Sequence, residues 1–229
     1  EPSYNYHMEP YPVSVIKITT YEDWFNKGIG KKTRHAIRSA QKKGVEVRVE
    51  DFNSQLVKGI CEICNETPIR TRKKYPHYKA TFEEVRDGSA TFLDRSIFLG
   101  AYYRDEFIGF TKIVFEDEFA DILQHLAKIS HRDKYTANIL MAKAVELCTV
   151  RGSGYLAYGD WDESGVGDYK RHNGFVRMDL PRYYIPLNWM GAVALKIKLH
   201  RPISKMLPAK TMPLLKGMRL KWQKMKVKA

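Results

Sequence analysis

Acidic residues are missing from the last stretch of the chain. From Asn188 to Ala229 there are nine Lys and two Arg but no Asp or Glu. That segment carries +11 of the net +13, which leaves +2 for residues 1–187, where 28 basic residues face 26 acidic ones. The body is nearly neutral, so the basic character belongs to an appendage with a partner of its own. Glycine fingerprints are missing too. The absence of G-x-G-x-x-G and of a Walker sequence excludes the Rossmann dinucleotide turn and the P-loop. No apolar run reaches the roughly 18 residues of a membrane-spanning helix. Cysteine is scarce, and Cys61, Cys64 and Cys148 give an odd count with no disulfide framework. Cys61 and Cys64 form a C-x-x-C on a helical pattern without a second ligand pair. They read as small core residues of a reducing cytoplasm, and no metal site is expected. No secretory pattern follows Glu1, and no repeat or low-complexity segment is present. The expected location is cytoplasmic, peripheral on the inner membrane face through the tail.

What is present is the balance of a globular domain, 44% hydrophobic and 28% charged, in a chain of 229 residues that can bury a sizeable core. Period-two alternation predicts strands over Val13–Ile18, Val45–Val49, Arg95–Tyr103, Glu106–Phe115, Phe119–Ala127, Tyr155–Tyr158 and Phe175–Leu187. Helical spacing predicts helices over Tyr21–Lys27, Lys31–Lys43, Ser54–Arg70, Thr81–Leu93 and Thr136–Arg151, with a short one before Phe175. Arg104-Asp105 has the spacing of a tight hairpin. An antiparallel meander ahead of a single crossover helix predicts an α+β fold with a mixed sheet flanked by helices. Three regions follow: a lead-in strand with helices (1–44), the main domain (45–187) and a basic amphipathic helical appendage (188–229), which Pro202, Pro208 and Pro213 break into short pieces.

The most informative stretch runs from Asp121 to Phe175. A strand ends in the loop Lys128–Lys134, and a long helix starts at Thr136. Backbone N–H groups and the helix dipole favour an anion there, and Lys128, His131, Arg132 and Lys134 add full charges. This suits a phosphate-bearing acyl donor, although His131–Thr136 contains no glycine.

The order of elements resembles the GNAT acyltransferase fold, in which the fourth strand and the strand after the crossover helix splay apart around the donor. Lys31-Lys32-Thr33-Arg34-His35-Ala36-Ile37-Arg38-Ser39-Ala40-Gln41-Lys42-Lys43-Gly44-Val45 resembles the K-x-R-x-x-I-x-x-A-x-K-x-G-V segment of Fem-type peptidoglycan-bridge aminoacyltransferases. Tyr169-Lys170-Arg171-His172-Asn173-Gly174 resembles their F-K-x-x-F-G segment, with Asn173 in place of the aromatic. Asn65–Arg70, His131–Lys134 and Pro181–Leu187 resemble segments of uncharacterised GNAT-type proteins from bacterial cell-surface polysaccharide loci. The resemblance implies an N-acyl- or aminoacyltransferase that moves an acyl group to an amine in glycan or peptidoglycan assembly. It implies acyl-CoA or aminoacyl-tRNA as co-substrate, with tRNA as a partner in the latter case, and no tightly bound cofactor. A second reading is a non-catalytic GNAT scaffold that binds RNA or an anionic membrane surface. Oligomers are compatible with both.

Residue by residue, the resemblance puts Lys170 near the reacting acyl group, where a cation stabilises an oxyanion. His131, Arg132, Asp133, Lys134, Thr136 and Asn138 fall at the donor grip. Glu66, Arg70, His77 and Tyr78 cluster on the acceptor side, where Glu66 or His77 would deprotonate an ammonium. Tyr169 and Tyr158 would protonate a leaving thiolate or alkoxide. Arg34 and Arg38, four residues apart on one helix face, would contact an acceptor phosphate or RNA. Each of these residues also fits an ordinary surface or packing role. No cysteine is placed as an activated nucleophile, so direct attack is expected.

Overall fold

A computed structural model describes residues 4–70, 73–162 and 165–201. The strand β1 (His7–Lys17) leads into α1 (Tyr21–Asp23), capped by Thr20, which continues as a π-helical turn Trp24–Gly28. Next come α2 (Lys31–Lys42), β2 (Val45–Glu50) and α3 (Ser54–Asn65). A small ladder follows, β3 (Ile69–Arg70) with β4 (Lys73–Lys74), then α4 (Phe82–Ser89) behind a Thr81–Glu84 capping box. The meander is β5 (Ser96–Tyr103), β6 (Glu106–Glu116) and β7 (Phe119–Ala127). The crossover helix α5 (Thr136–Arg151) leads to β8 (Tyr155–Asp160), α6 (Gly165–His172), β9 (Val176–Tyr184) and α7 (Trp189–Lys196).

The large sheet has the order β2-β5-β6-β7-β8-β1-β9. It is antiparallel from β2 to β7 and parallel between β7 and β8. This is the GNAT-like α+β arrangement that the sequence predicts. The β5–β6 turn puts Arg104 and Asp105 both at positive φ, as the right-handed strand twist demands of a two-residue hairpin. Two cores lie on opposite faces. Leu99, Ile108 and Ile113 join Ile37 and Ala40 of α2 and Leu140, Met141 and Val145 of α5 in one of them. Phe98 and Phe110, one pleat over, join Leu56, Ile60 and Ile63 of α3 and Val85 of α4 in the other. Burial on both faces explains why the central strands read as nearly continuous apolar runs.

The helix predicted over Ser54–Arg70 ends at Asn65. Pro68 cannot continue it, and Ile69–Arg70 turns into the small ladder. The helix predicted from Thr81 stops at Ser89, where the buried ammonium of Lys112 takes up the carbonyls of Ser89 (2.8 Å) and Thr91. β1 starts six residues earlier than predicted, at His7 in place of Val13.

The chain divides into two compact units, Tyr11–Leu180 and the described part of Glu1–Pro10 with Pro181–Ala229. Within the first, residues 11–44 share the core of the body through Ile16, Ile18, Trp24, Ile37 and Ala40. Among the described residues, no helix is long and apolar enough to cross a membrane. Most of the predicted tail, residues 202–229, lies outside the described residues.

Two features of the first unit position the site. β7 and β8 pair only at Phe119↔Tyr155, Ala120↔Leu156 and Asp121↔Ala157. Beyond that point β8 leaves. Gly159 sits at φ 55°, a conformation that costs glycine least, and its N–H is held by the Asp121 carboxylate. The second feature is the seat of α5. A Cβ at Gly109 of β6 would come within 2.7 Å of Thr136 Cγ2, so glycine lets the helix N-terminus lie against the sheet.

Candidate active site

The gap between β7 and β8 opens on both sides. A cavity of about 580 Å³ lies toward α5, lined among others by Arg70, Lys128, Arg132, Thr136, Asn138 and Tyr169. A second, of about 700 Å³, lies toward α3 and α4, lined among others by Cys64, His77, Tyr78, Lys79, Glu84 and Gln124. Tyr75, His125, Leu126 and Tyr158 line both, so the two spaces meet at these four side chains.

The α5 cavity ends at a helix N-terminus that no side chain caps. Tyr135, in the left-handed region at φ 56°, turns the chain into the helix. Arg132 is exposed, with no side-chain partner among the described residues, and lines the cavity. Lys134 is committed elsewhere: its ammonium pairs with Asp133 at 2.9 Å and lies 4.6 Å from the centre of the Tyr103 ring. Lys43 donates to the Asp133 carbonyl at 2.5 Å, tying the loop to the end of α2. Of the six donor-side residues that the resemblance implies, His131, Arg132, Thr136 and Asn138 therefore line the cavity, while Asp133 and Lys134 do not. Arg132→Ala is expected to weaken binding of a phosphate-bearing donor by about tenfold, against about twofold or less for Lys134→Ala, because an unpaired cation beside a helix N-terminus loses more than one already neutralised. Calorimetric titration of both variants checks the order.

Backbone groups add to the grip. Lys128 N–H donates to Ile108 O at 2.8 Å, toward β6. Alternation therefore turns the N–H and C=O of Ala127 and of His125 toward the edge that β8 has vacated. Arg70 already satisfies the Ala127 carbonyl (2.8 Å) and reaches the Ile63 carbonyl at 2.6 Å. Arg70, expected with the acceptor-side cluster, thus stands on the α5 side of the gap.

Glu66 lines neither cavity. Its carboxylate accepts from Ile129 N (2.7 Å), Ser130 N (2.8 Å), Ser130 Oγ (2.6 Å) and Arg70 (3.2 Å). Burial opposes its charge, but the Ser130 and Ile129 donors and Arg70 outweigh that and hold it below the usual carboxylate range. It is a clasp on the loop between β7 and α5, with its lone pairs taken. His131 is held in the same loop by Glu106 (3.3 Å) and Ser130 (3.2 Å).

Lys170 is also turned inward. Its ammonium donates to the Asp160 carbonyl (2.7 Å) and Ser14 Oγ (3.3 Å) and lies 4.8 Å from the centre of the Tyr158 ring. Burial lowers its pKa, and Asp160, Asp162 and Asp121 oppose that shift. It lines neither cavity, and it fixes the far end of β8 beneath Tyr158. Arg34 donates to the carbonyls of Asn26 (2.9 Å) and Ile29 (2.5 Å), and Arg38 lies 5.3 Å from the centre of the Phe25 ring. The structure does not bring these two arginines to either cavity. His77 is exposed on the α3–α4 side with Tyr78.

A polar chain runs beside the junction. Tyr169 Oη donates to Ala137 O at 2.9 Å, in the first turn of α5. His125 Nε2 must therefore carry the proton it shares with Tyr169 (2.9 Å), and His125 Nδ1 accepts from Thr111 Oγ1 (2.8 Å). Burial pushes the His125 pKa down to about 4, so the ring is neutral at neutral pH. It also raises Tyr169 well above the usual range, and brings Tyr158 to about 12. Both phenols are thus protonated. Tyr169 has spent its proton on a carbonyl, whereas Tyr158 faces both cavities. Cys64 and Cys148 are no nucleophiles: burial raises the Cys64 thiol and pushes Cys148 to about 12.

Sequence reasoning missed His125, Asp121 and Tyr75. The only local signal for His125 is a histidine two residues before the end of a mostly apolar strand. Among the described residues, the one group with metal-ligand geometry is His7, Glu9 and His200, in the smaller unit. Arg201 already donates twice to that Glu9 carboxylate, which is held at a pKa of about 2 by Arg201 first and His200 next.

No protein-family model and no curated protein matches the sequence. Solved structures do. FemX superposes with a TM-score of 0.59 at 12% identity, over 73% of this chain and 59% of that one. L-PGS from Bacillus licheniformis gives 0.55 at 13%, over 84% and 66%. The C-terminal domain of a putative lysylphosphatidylglycerol synthetase from Agrobacterium fabrum gives 0.52 at 10%, over 83% and 65%. The chain spans somewhat less than two thirds of each of these proteins. At such identities the likeness concerns the backbone alone, and it shows that this chain shares the α+β fold of these proteins.

Proposed function

We propose that the chain is an acyltransferase that moves an acyl group from a phosphate-bearing donor to an amine. The observation that carries this reading is the gap that opens after three β7–β8 pairs and joins two cavities at Tyr158. The donor enters on the α5 side, with its phosphate at the uncapped helix N-terminus beside Arg132. Its amide-bearing arm lies along the vacated β7 edge, where the backbone groups of His125 and the N–H of Ala127 await a strand-like partner. The acceptor enters on the α3–α4 side, near His77 and Tyr78.

The chemistry needs no covalent intermediate. His77 takes a proton from the acceptor ammonium. The free amine attacks the donor carbonyl, forming the C–N bond, and the carrier leaves as its C–S or C–O bond breaks. Tyr158 Oη gives the leaving atom its proton and regains one from the new amide nitrogen, which sheds its second proton as the carrier departs. N–H groups on the vacated edge stabilise the developing oxyanion. Lys170 and His125 hold the Tyr158 ring, so their part is positioning. The Fem-type likeness of the Lys31–Val45 and Tyr169–Gly174 segments favours an amine of cell-surface glycan or peptidoglycan precursors as acceptor, and acyl-CoA or aminoacyl-tRNA as donor.

A thermal-shift screen of the full chain against CoA, acyl-CoA esters and aminoacyl-nucleotide mimics tests the reading. Occupancy at a hundred times Kd stabilises by about 2.7 kcal/mol, a shift of several degrees. Arg132→Ala, with its tenfold weaker binding, is expected to lose about half of that shift. If none of these donors stabilises the protein, the transferase reading fails and the scaffold alternative stands.

A further inference from the structure

We propose that the segment from Ile185 to Leu199, centred on α7, docks on an anionic phospholipid surface. The inference stands apart from the transferase reading, since it uses only the smaller unit. Helix α7 reads Trp-Met-Gly-Ala-Val-Ala-Leu-Lys, so its one charge is at the last position, and none of its residues is buried. Leu187 is 93% and Trp189 76% exposed, and Met190, Val193, Ile197 and Leu199 are exposed as well. Single exposed apolar side chains are ordinary, but a contiguous run of them marks a contact surface. An eight-residue helix is also too short to hold itself together in water, so a surface must stabilise it beyond the Asn188 cap.

Three observations select a lipid surface as the occupant. At about 1.5 Å per residue α7 is about 12 Å long, far short of a bilayer core, so it fits the interface rather than a span. Its tryptophan stands at the helix start, and the exposed Lys196 and Lys198 follow its apolar run, the combination that suits headgroup depth and an anionic leaflet. The segment Asn188–Ala229 has eleven cations and no acid. Two copies facing each other through it would repel. RNA would engage the cations but leave the tryptophan and leucines in water.

The test uses the full chain and phosphatidylcholine vesicles with and without phosphatidylglycerol. Co-sedimentation is expected only with the anionic vesicles, with a blue shift of tryptophan fluorescence that Trp189→Phe removes. Leu187→Ser with Trp189→Ser is expected to cut partitioning about tenfold or more, because two large apolar side chains lose their burial. Lys196→Gln with Lys198→Gln is expected to cut it several-fold, with the difference shrinking at high salt. Unchanged circular dichroism controls for folding; should the double serine variant unfold, Leu187→Gln alone takes its place. Absence of binding to both vesicles overturns the proposal, as does unchanged binding after the apolar substitutions. Concentration-dependent dimers or RNA binding in place of vesicle binding overturn it equally.

Discussion

Tyr158→Phe is expected to lower turnover by roughly a hundred- to ten-thousand-fold, the usual range for a lost general acid. Donor affinity should change by less than about twofold and the fold should persist, since among the described residues no hydrogen bond depends on this hydroxyl in the way Ala137 depends on that of Tyr169. The sequence offers both tyrosines for the same role, and the structure separates them. The Tyr169 proton is committed to the first turn of α5. Tyr158 lines both cavities, and burial raises its pKa to about 12, which keeps the phenol protonated at neutral pH. Steady-state kinetics with a donor found by the stabilisation screen decide the matter. Equal losses for the two phenylalanine variants would count against an acid role for Tyr158 and in favour of simple packing.

Glu66→Ala is expected to destabilise the protein by about 2–4 kcal/mol and to weaken donor binding more than any exposed cation does. The substitution strips the N–H groups of Ile129 and Ser130 of their acceptor and leaves the Arg70 guanidinium without its carboxylate. The β7–α5 loop then loses its clasp. Glu66→Gln keeps shape and part of the bonding, so it should lose about half as much. The same carboxylate sets part of the acid limit. Its folded pKa lies below its unfolded value, so its contribution is present above the unfolded value near 4.3 and is lost as pH falls through the folded value. His125 acts over a higher window. Its folded pKa of about 4 lies below the unfolded value of about 6.5, so stability declines as pH drops between the two. Denaturant titrations of the wild type and His125→Gln across this range should show the second component disappear in the variant. Loss of the Glu66 effect on donor affinity, with stability still reduced, would mean that the clasp holds the fold but not the site.

The long, regular elements were legible in the sequence. Phe119–Ala127 and Thr136–Arg151 lie where alternation and helical spacing predict them. The Arg104-Asp105 hairpin could be read because its geometry is local. Errors arose where a nearby feature overrode the period, as Pro68 does after α3. The site was legible as a region rather than as a set of roles. Charge and position marked the loop 128–134, but sequence could not say which cations were already spent. Lys134 is neutralised by its own neighbour, and Glu66 and Lys170 are drawn inward by groups tens of residues away. Asp121 and His125 act through Gly159, Thr111 and Tyr169, and only the folded chain brings those together.

Beyond Asp121, one side of β7 has no strand beside it among the described residues. A free strand edge is a template on which another molecule can add its own strand, and proteins restrain that tendency. Here the edge is short, Arg70 covers the Ala127 carbonyl, and the β6–β7 register shifts at Lys112/Ile113. A donor arm laid along the edge would remove the template altogether. Solubility and occupancy are therefore coupled in this molecule. The ligand-free protein is the form exposed to strand-to-strand association, and a bound donor acts as its protector in concentrated solution.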